Sequence, residues 1–254
     1  MVDFNKLSNF DRIKNEMDKI KNPTSDRKED DRLWKLERDK AGNGSAVIRF
    51  LPSPECDGDD ALPWAKYWDH GFQGPTGKWY IEKSLTTLGN QKDPVSEYNS
   101  MLWSKSEDDN SPERVQARKQ KRRLHYVSNI LVVDDPKRPD RVGNVYLFNY
   151  GKKIFDKLML AMNPEFAGDD PVNPFHMVKG ANFKLRMRVN SAGFPNYDES
   201  AFLTPSPVGT QKEMEAIYNS CHSLKEFTDP KNFKSYDQLK ARLDEVLGLN
   251  ATMI

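Results

Sequence analysis

The stretch that indicates the fold most directly is Phe183-Lys184-Leu185-Arg186-Met187-Arg188-Val189. Apolar and cationic side chains alternate along it, as they do on a β-strand that has one buried and one exposed face. Strands at short intervals predict a β-barrel or sandwich, and Asn43-Gly44 predicts a tight hairpin turn between the first two strands. Five other short runs have strand-like composition: Trp34–Leu36, Ser45–Leu51, Lys78–Ile81, Tyr126–Val133 and Val145–Tyr150.

Helical periodicity occurs in three segments after residue 33 and outside these strands. The first covers Lys152–Met162, and the second covers Met214–Leu224. The third covers Tyr236–Leu247, follows the capping box Ser235-x-x-Gln238, and is followed by a terminating glycine. The sequence therefore predicts a mainly β, α+β fold with peripheral helices, of which the C-terminal ones lie within residues 210–248.

The first 33 residues differ from the rest of the chain. They carry eight basic and eight acidic side chains, and their last part, Asp26–Arg32, lacks apolar residues that could pack. Phe10, Ile13, Met17 and Ile20 recur at helical spacing, which predicts a short amphipathic helix. We therefore expect an N-terminal arm over residues 1–33 and a core over residues 34–254.

Composition excludes several classes of protein. Only 37% of the 254 residues are hydrophobic, and no apolar run reaches the roughly 18 residues that a membrane-spanning helix needs. The N-terminus lacks the apolar region of a secretory signal, so we expect a cytoplasmic protein. Cys56 and Cys221 are distant and belong to no CxxC motif, and phosphate-binding or hydrolase motifs are missing. An ATPase or hydrolase is therefore unsupported.

The charges are balanced overall but unevenly distributed. The chain has 39 Lys and Arg against 38 Asp and Glu, yet residues 114–123 contain six cations and no acid, and residues 171–197 are also free of acids. Aromatic residues accompany these stretches: Tyr126 follows the first, and Phe194 and Tyr197 end the second. Cations that contact phosphates, interleaved with rings that stack on bases, are typical of a groove for single-stranded nucleic acid.

Other functions compatible with these residues stay open. Duplex recognition is disfavoured, because the sequence has no recognition-helix motif, zinc finger or basic region with heptads. An RNA-binding or translational autoregulatory protein would need the same cations and rings. A non-catalytic scaffolding protein with a basic surface is a second alternative, and a nuclease is the weakest because no carboxylate metal site is evident.

Several motifs resemble one family, the single-stranded DNA-binding, helix-destabilising proteins of T-even-like tailed bacteriophages. The resemblance implies an OB-fold core that binds single-stranded DNA in a positively charged cleft during DNA replication, recombination and repair, without catalysis. The motifs that carry it are Trp34-Lys35-Leu36, Ala41-Gly42-Asn43-Gly44, Ala46–Ser53, His70-Gly71-Phe72, Gly77–Glu82, Asn129–Val133, Gly151–Ile154, Gly180–Phe183 and Asn196–Ser200.

The resemblance also implies site residues. Aromatic positions of the family's cleft match Tyr126, Phe148, Phe194 and Tyr197, and Phe148 stands where the family pattern has Tyr. Basic positions match Arg49, Lys121 and Arg122. The charge pattern adds four further candidates for phosphate contacts, which are Arg123, Lys184, Arg186 and Arg188.

One departure from the family concerns zinc. The best-studied members hold structural zinc with one His and three Cys, and only His70 remains here; the thiolate positions align with Ser84, Asp93 and Ser96. Serine hydroxyls are poor zinc ligands, so we expect no zinc and no other cofactor. Packing by Trp79, Tyr80 and Ile81 is then expected to stabilise the inserted loop subdomain over residues 70–103.

The termini carry the remaining expectations. The family uses a basic N-terminal arm for cooperative binding along DNA, whereas this arm is charge-balanced, so self-association through it is a hypothesis. The family also ends in an acidic tail that contacts replication proteins, and the sequence up to Ile254 contains no such segment. The expected partners are single-stranded DNA, further copies of the chain, and phage replication and recombination proteins, in the cytoplasm of an infected bacterium.

Overall fold

The strand β5 (Arg123–Asp134) is the centre of the sheet, because it pairs antiparallel with three other strands. The computed structural model describes residues 30–166 and 168–249, and within these ranges nine strands form one connected sheet. The others are β1 (Leu33–Trp34), β2 (Gly44–Phe50), β3 (Ala65–Gln73), β4 (Trp79–Lys83), β6 (Val145–Tyr150), β7 (Ala181–Val189), β8 (Pro195–Asn196) and β9 (Ala201–Pro205). The predicted β-rich class is confirmed.

The pairing corrects the predicted first hairpin. β1 pairs in parallel with β6, while β2 pairs antiparallel with β5 and β7. The turn before β2 is built by Asp39, whose carboxylate accepts hydrogen bonds from the backbone N–H of Ala41 and Asn43, and Gly42 adopts a φ of 82°. The chain therefore turns at residues 39–43 without pairing the two strands that flank this turn.

Five α-helices surround the sheet in the described residues. They are α1 (Pro94–Ser104), α2 (Pro112–Lys119), α3 (Lys152–Met162), α4 (Gln211–Asn219) and α5 (Tyr236–Leu247). α3 has the predicted bounds, and α5 has the predicted capping box and ends at Gly248, whose φ is 72°. Helices α1 and α2 were not predicted. Each begins with a proline after a capping side chain, Asp93 for α1 and Ser111 for α2.

The main core is rich in aromatic rings. The Phe50 ring lies 5.6–6.5 Å from five others, those of Phe148, Tyr150, Phe175, Phe183 and Phe202. Helix α3 covers this side of the sheet with Ile154 and Leu158. The opposite side is also covered, since Leu147 and Val127 pack in a separate cluster with Leu224. Strands β5 and β6 are therefore buried on both faces.

A second core lies in the predicted subdomain over residues 70–103. Phe72, Tyr80 and Val95 pack there against α5, which contributes four buried side chains: Leu239, Leu243, Val246 and Leu247. Of the three residues expected to stabilise this region, Tyr80 is buried, whereas Trp79 is 53% and Ile81 is 42% exposed. Alternation along β4 explains this correction, because only one face of the strand meets the core.

Two further expectations concern the N-terminal arm and the lack of a membrane-spanning helix. The predicted N-terminal helix, with Phe10, Ile13, Met17 and Ile20, lies outside the described residues, as does nearly all of the predicted arm over residues 1–33. In the part of the chain that the structure describes, no helix is both long and apolar enough to cross a lipid bilayer.

Candidate nucleic-acid interface

The cationic segment Lys121–Arg123 joins the end of α2 to the start of β5. The α2 cap residue, Gln120, donates its backbone N–H to the carbonyl of Gln116, and Lys121 donates to the carbonyl of Arg118. These bonds close the helix, and the chain enters β5 at Arg123. Lys121 and Arg123 are exposed and Arg122 is half-buried, so the segment presents three cations at one end of the sheet.

The ring of Trp68, on β3, contacts the side chain of Arg122. The guanidinium carbon of Arg122 lies 4.3 Å from the centroid of the Trp68 ring, and Lys66 Nζ lies 6.0 Å from the same centroid. A guanidinium stacked on a ring keeps its N–H donors free in its own plane, where they can bind phosphate oxygens. We call Lys66, Trp68, Lys121 and Arg122 the β3–β5 cluster.

Arg123 belongs to a neighbouring charge network. Its Nε and Nη2 donate to the two carboxylate oxygens of Asp69, each at 2.9 Å, and His125 Nε2 lies 3.0 Å from Asp69 Oδ1. Burial alone would raise the pKa of Asp69, but the bonds from His125 and Arg123 outweigh it and lower that pKa. A Cβ at Gly71 would clash with the Arg123 guanidinium, so glycine makes room for this pair. Asp69 thus offsets part of the charge of Arg123.

A groove of about 710 Å³ opens beside the β3–β5 cluster. Helices α1 and α2 form its walls, and its cationic lining consists of Arg118, Lys121 and Arg122. Trp103, which is 44% exposed, supplies an aromatic ring, and Arg114 lies over that ring at 4.5 Å. The groove therefore combines positive charge with an accessible ring.

The second predicted group lies on β7 and the following hairpin. Phe183, Leu185 and Met187 are buried, which confirms the alternation read from the sequence, whereas Lys184 and Arg188 are exposed and Arg186 is half-buried. Glu199 lies 3.3 Å from Arg186 Nη1 and 3.7 Å from Arg188 Nε. One carboxylate thus offsets part of this positive charge.

The two predicted aromatics after β7 differ in exposure. Phe194 is 66% exposed at the tip of the β7–β8 hairpin. The backbone N–H of Phe194 donates a hydrogen bond to Asn190 Oδ1. Tyr197 is half-buried and packs against the main core. Of these two rings, Phe194 is the one that is available for stacking on a base.

Three predicted contact residues lie inside the fold. Arg49 is fully buried, and its Nη2 donates to the backbone carbonyl of His176 at 2.7 Å. The ring of Tyr126 stacks on Phe155 with a centroid distance of 3.9 Å, and Phe148 lies 5.3 Å from Trp34. Arg49 on β2, Tyr126 on β5 and Phe148 on β6 are therefore enclosed by the fold, and their predicted contact with nucleic acid stays a prediction.

The structure adds candidates that sequence reasoning did not select. Lys66 and Trp68 precede the conspicuous His70-Gly71-Phe72 motif, and their alternation with buried Ala65 and Tyr67 is the signal that would have placed them on one strand face. Arg118 and Trp103 line the groove only because α1 and α2 pack together. No local pattern reports such a pairing of two helices.

Comparison with known proteins identifies the family. The family described as gp32 DNA binding protein like matches residues 42–247, and the chain belongs to it. The single-stranded DNA-binding protein of Enterobacteria phage T2 is 39% identical over 229 residues, which cover 88% of this chain and 72% of that protein. The protein of the same name from Enterobacteria phage T4 is 39% identical over 226 residues, covering 87% and 71%. A third, from Escherichia phage SV14, is 49% identical over 73 residues, covering 28% and 61%.

Proposed function

We propose that the chain binds single-stranded DNA without sequence specificity, and that it protects this strand and destabilises duplex during phage DNA replication, recombination and repair. Its function is binding and involves no catalysis. The observation that carries the proposal is the β3–β5 cluster, in which Arg122 and Lys66 share the Trp68 ring beside a cationic groove. The names of the phage relatives support the same ligand.

The mechanism follows from equilibrium binding. Cations neutralise phosphates and release counterions, while exposed rings such as Trp103 and Phe194 stack on bases that only a single strand leaves open. Because the protein binds the separated strand and not the duplex, it shifts the equilibrium towards strand opening by mass action.

We propose that β2, β3, β5, β6 and β7 are the five strands of an OB-fold core. The pairing of β5 with β2, β3 and β6, and of β2 with β7, supports this assignment. The β3–β5 cluster and the β7–β8 hairpin are then two contact regions of one DNA path. We expect the two regions to contribute separately to the affinity for DNA, since their cations lie on different strands.

Cellular context and protein partners complete the proposal. The phage origin of the relatives supports action in the cytoplasm of an infected bacterium. Self-association along DNA through residues 1–33, and contact with phage replication and recombination proteins, are proposed from the family resemblance.

The test is a titration of the purified protein with oligo(dT), with the matched RNA, and with DNA duplex of equal length, followed by intrinsic fluorescence. We expect salt-sensitive binding to the DNA single strand, little binding to duplex, and about tenfold weaker binding for Arg122→Ala. Lys212→Ala, which removes an exposed lysine on α4, is the matched control and should bind as the parent does.

The other outcomes would contradict the proposal in distinguishable ways. Tighter binding to the RNA than to the DNA would favour an RNA-binding protein. Equal weak binding to single strand and duplex, unchanged by Arg122→Ala, would leave a generic basic surface suited to a scaffolding role.

A further inference from the structure

A buried polar network connects β3 to both helices of the groove. His70, which is 1% exposed, lies with Nδ1 2.9 Å from the backbone carbonyl oxygen of Gln120 and with Nε2 3.1 Å from Asp93 Oδ1. The other carboxylate oxygen, Asp93 Oδ2, accepts from Ser84 Oγ at 3.0 Å and from the backbone N–H of Leu85 at 3.1 Å. We call His70, Ser84, Asp93 and Gln120 the His70 network.

Both ring nitrogens of His70 are occupied. A metal ion could therefore reach either nitrogen only by displacing the Gln120 carbonyl or the Asp93 carboxylate. Asp93 is similarly engaged, because Oδ1 also accepts from the backbone N–H of Ser96 at 3.0 Å and so caps α1.

The network occupies the positions where the family resemblance implies zinc. The donor set does not fit that ion: His70 has both nitrogens engaged, Ser84 and Ser96 offer only hydroxyls, and Asp93 is the one carboxylate. In the described ranges, moreover, no group of three or more His, Cys, Asp or Glu side chains could hold a metal ion. The residues have a different use, which is to hydrogen-bond one another.

The network also contacts the candidate interface directly. Gln120, whose carbonyl faces His70, is the residue before the cationic segment Lys121–Arg123. Asp93 caps α1, which supplies Trp103 to one wall of the groove. A fixed His70 ring thus sets where the end of α2 stands relative to β3, and therefore where Lys121 and Arg122 emerge.

We propose that the His70 network replaces zinc as a metal-independent structural site, and that His70 and Asp93 are positioning residues for the cations of the DNA interface. The second part of this inference rests on the proposed function, whereas the first part does not. The buried hydrogen bonds among His70, Ser84, Asp93 and the Gln120 carbonyl stabilise one arrangement of these elements, because removing one of the bonded groups leaves its buried partner unpaired.

The first experiment measures the metal. We expect the full chain, purified without added metal, to contain far less than one zinc per chain by plasma emission spectroscopy, and its melting temperature to be unchanged by EDTA or by added Zn²⁺. Stoichiometric zinc, or a melting temperature that EDTA lowers, would overturn the inference.

The second experiment tests positioning by loss and rescue. Asp93→Asn should lower the melting temperature by roughly 4–10 °C, and should weaken oligo(dT) binding about tenfold at a temperature where the variant is folded. The triple variant Ser84→Cys, Asp93→Cys and Ser96→Cys provides three thiolates beside His70. Added Zn²⁺ should restore both its melting temperature and its affinity, and Co²⁺ should give a thiolate absorption band that the parent lacks.

Ser84→Ala is a milder variant for use if Asp93→Asn fails to fold. In Ser84→Ala, Asp93 still accepts a hydrogen bond from the backbone N–H of Leu85. Lys212→Ala, at an exposed lysine on α4 that belongs to neither the network nor the groove, is the control and should change neither quantity. Unchanged stability in Asp93→Asn or Ser84→Ala, or a triple variant that does not respond to Zn²⁺, would reject the inference while leaving DNA binding intact. A parent that fails to bind oligo(dT) would reject the proposed function, yet the metal content and melting temperatures would still decide the metal-independent site.

Discussion

Arg122 and Trp68 form a cation–π pair, with the guanidinium carbon 4.3 Å from the ring centroid, across the junction of β3 and the segment that leads into β5. The two residues are distant in the sequence, and the pairing of Trp68 with Leu124 brings them together. The ring restricts a side chain that would otherwise lose more conformational freedom when it binds a phosphate.

Replacing Trp68 should therefore weaken DNA binding. We expect Trp68→Ala to reduce the affinity for oligo(dT) about five- to thirtyfold, equivalent to about 1–2 kcal/mol, because a ring that positions a cation is lost. Trp79→Ala, at the tryptophan that is 53% exposed on β4, is the matched control and should retain full affinity. Equal losses in the two variants, measured by anisotropy, would argue against a specific role for Trp68.

Salt dependence should report the cations of the β3–β5 cluster. Each phosphate contact on a single strand contributes about −0.7 to the slope of log K against log salt concentration. The double variant Lys121→Ala and Arg122→Ala should therefore reduce the magnitude of the slope by about 1.4. A slope identical to that of the parent would show that these two side chains do not contact phosphates.

Phe148 and Phe194 should behave in opposite ways. Phe148→Ala removes a ring from the main core and should lower the free energy of unfolding by about 3–5 kcal/mol in urea titrations. Phe194→Ala changes an exposed ring, so its stability should be within about 0.5 kcal/mol of the parent, while its affinity for oligo(dT) falls. The reverse pattern would mean that Phe148 opens to stack on bases.

Acid should destabilise the fold partly through Asp69. The pKa of this carboxyl is lowered below its ordinary value of 3.8, so the ionised form stabilises the folded chain at pH values above about 4. This contribution is lost as the pH falls through the lowered pKa. Chemical denaturation between pH 3 and 6 should therefore show a shallower loss of stability for Asp69→Asn than for the parent. Parallel curves would exclude Asp69 as a contributor.

Local patterns predicted some of the regular elements. The bounds of β6 and α3 are those expected, because strict alternation and helical spacing act over a few residues. β3 was missed because its alternation is short: Asp69 places a charged group on the strand face that carries Ala65 and Tyr67. The helices α1 and α2 were missed because their proline starts follow loop-like segments.

The candidate site was predictable only in part. The cations at Lys121–Arg123 and on β7 could be found from charge alone, since acid-free stretches are visible in the sequence. The burial of Phe148 could not be predicted in this way, because the rings that enclose it, Trp34 and Phe50, come from distant parts of the chain. Whether both faces of a strand are covered depends on tertiary packing, which the alternation of residue types along the sequence does not predict.

The packing of α5 on residues 70–103 has a consequence for synthesis on the ribosome. Thr76 Oγ1 donates to the carbonyl of Val246 across 170 positions of sequence, and Phe72 and Tyr80 pack against the same helix. The chain leaves the ribosome N-terminus first, so the apolar side of the β3–β4 hairpin stays uncovered until Leu247 has emerged. Nascent chains that stall before α5 would expose this apolar surface and be prone to aggregate.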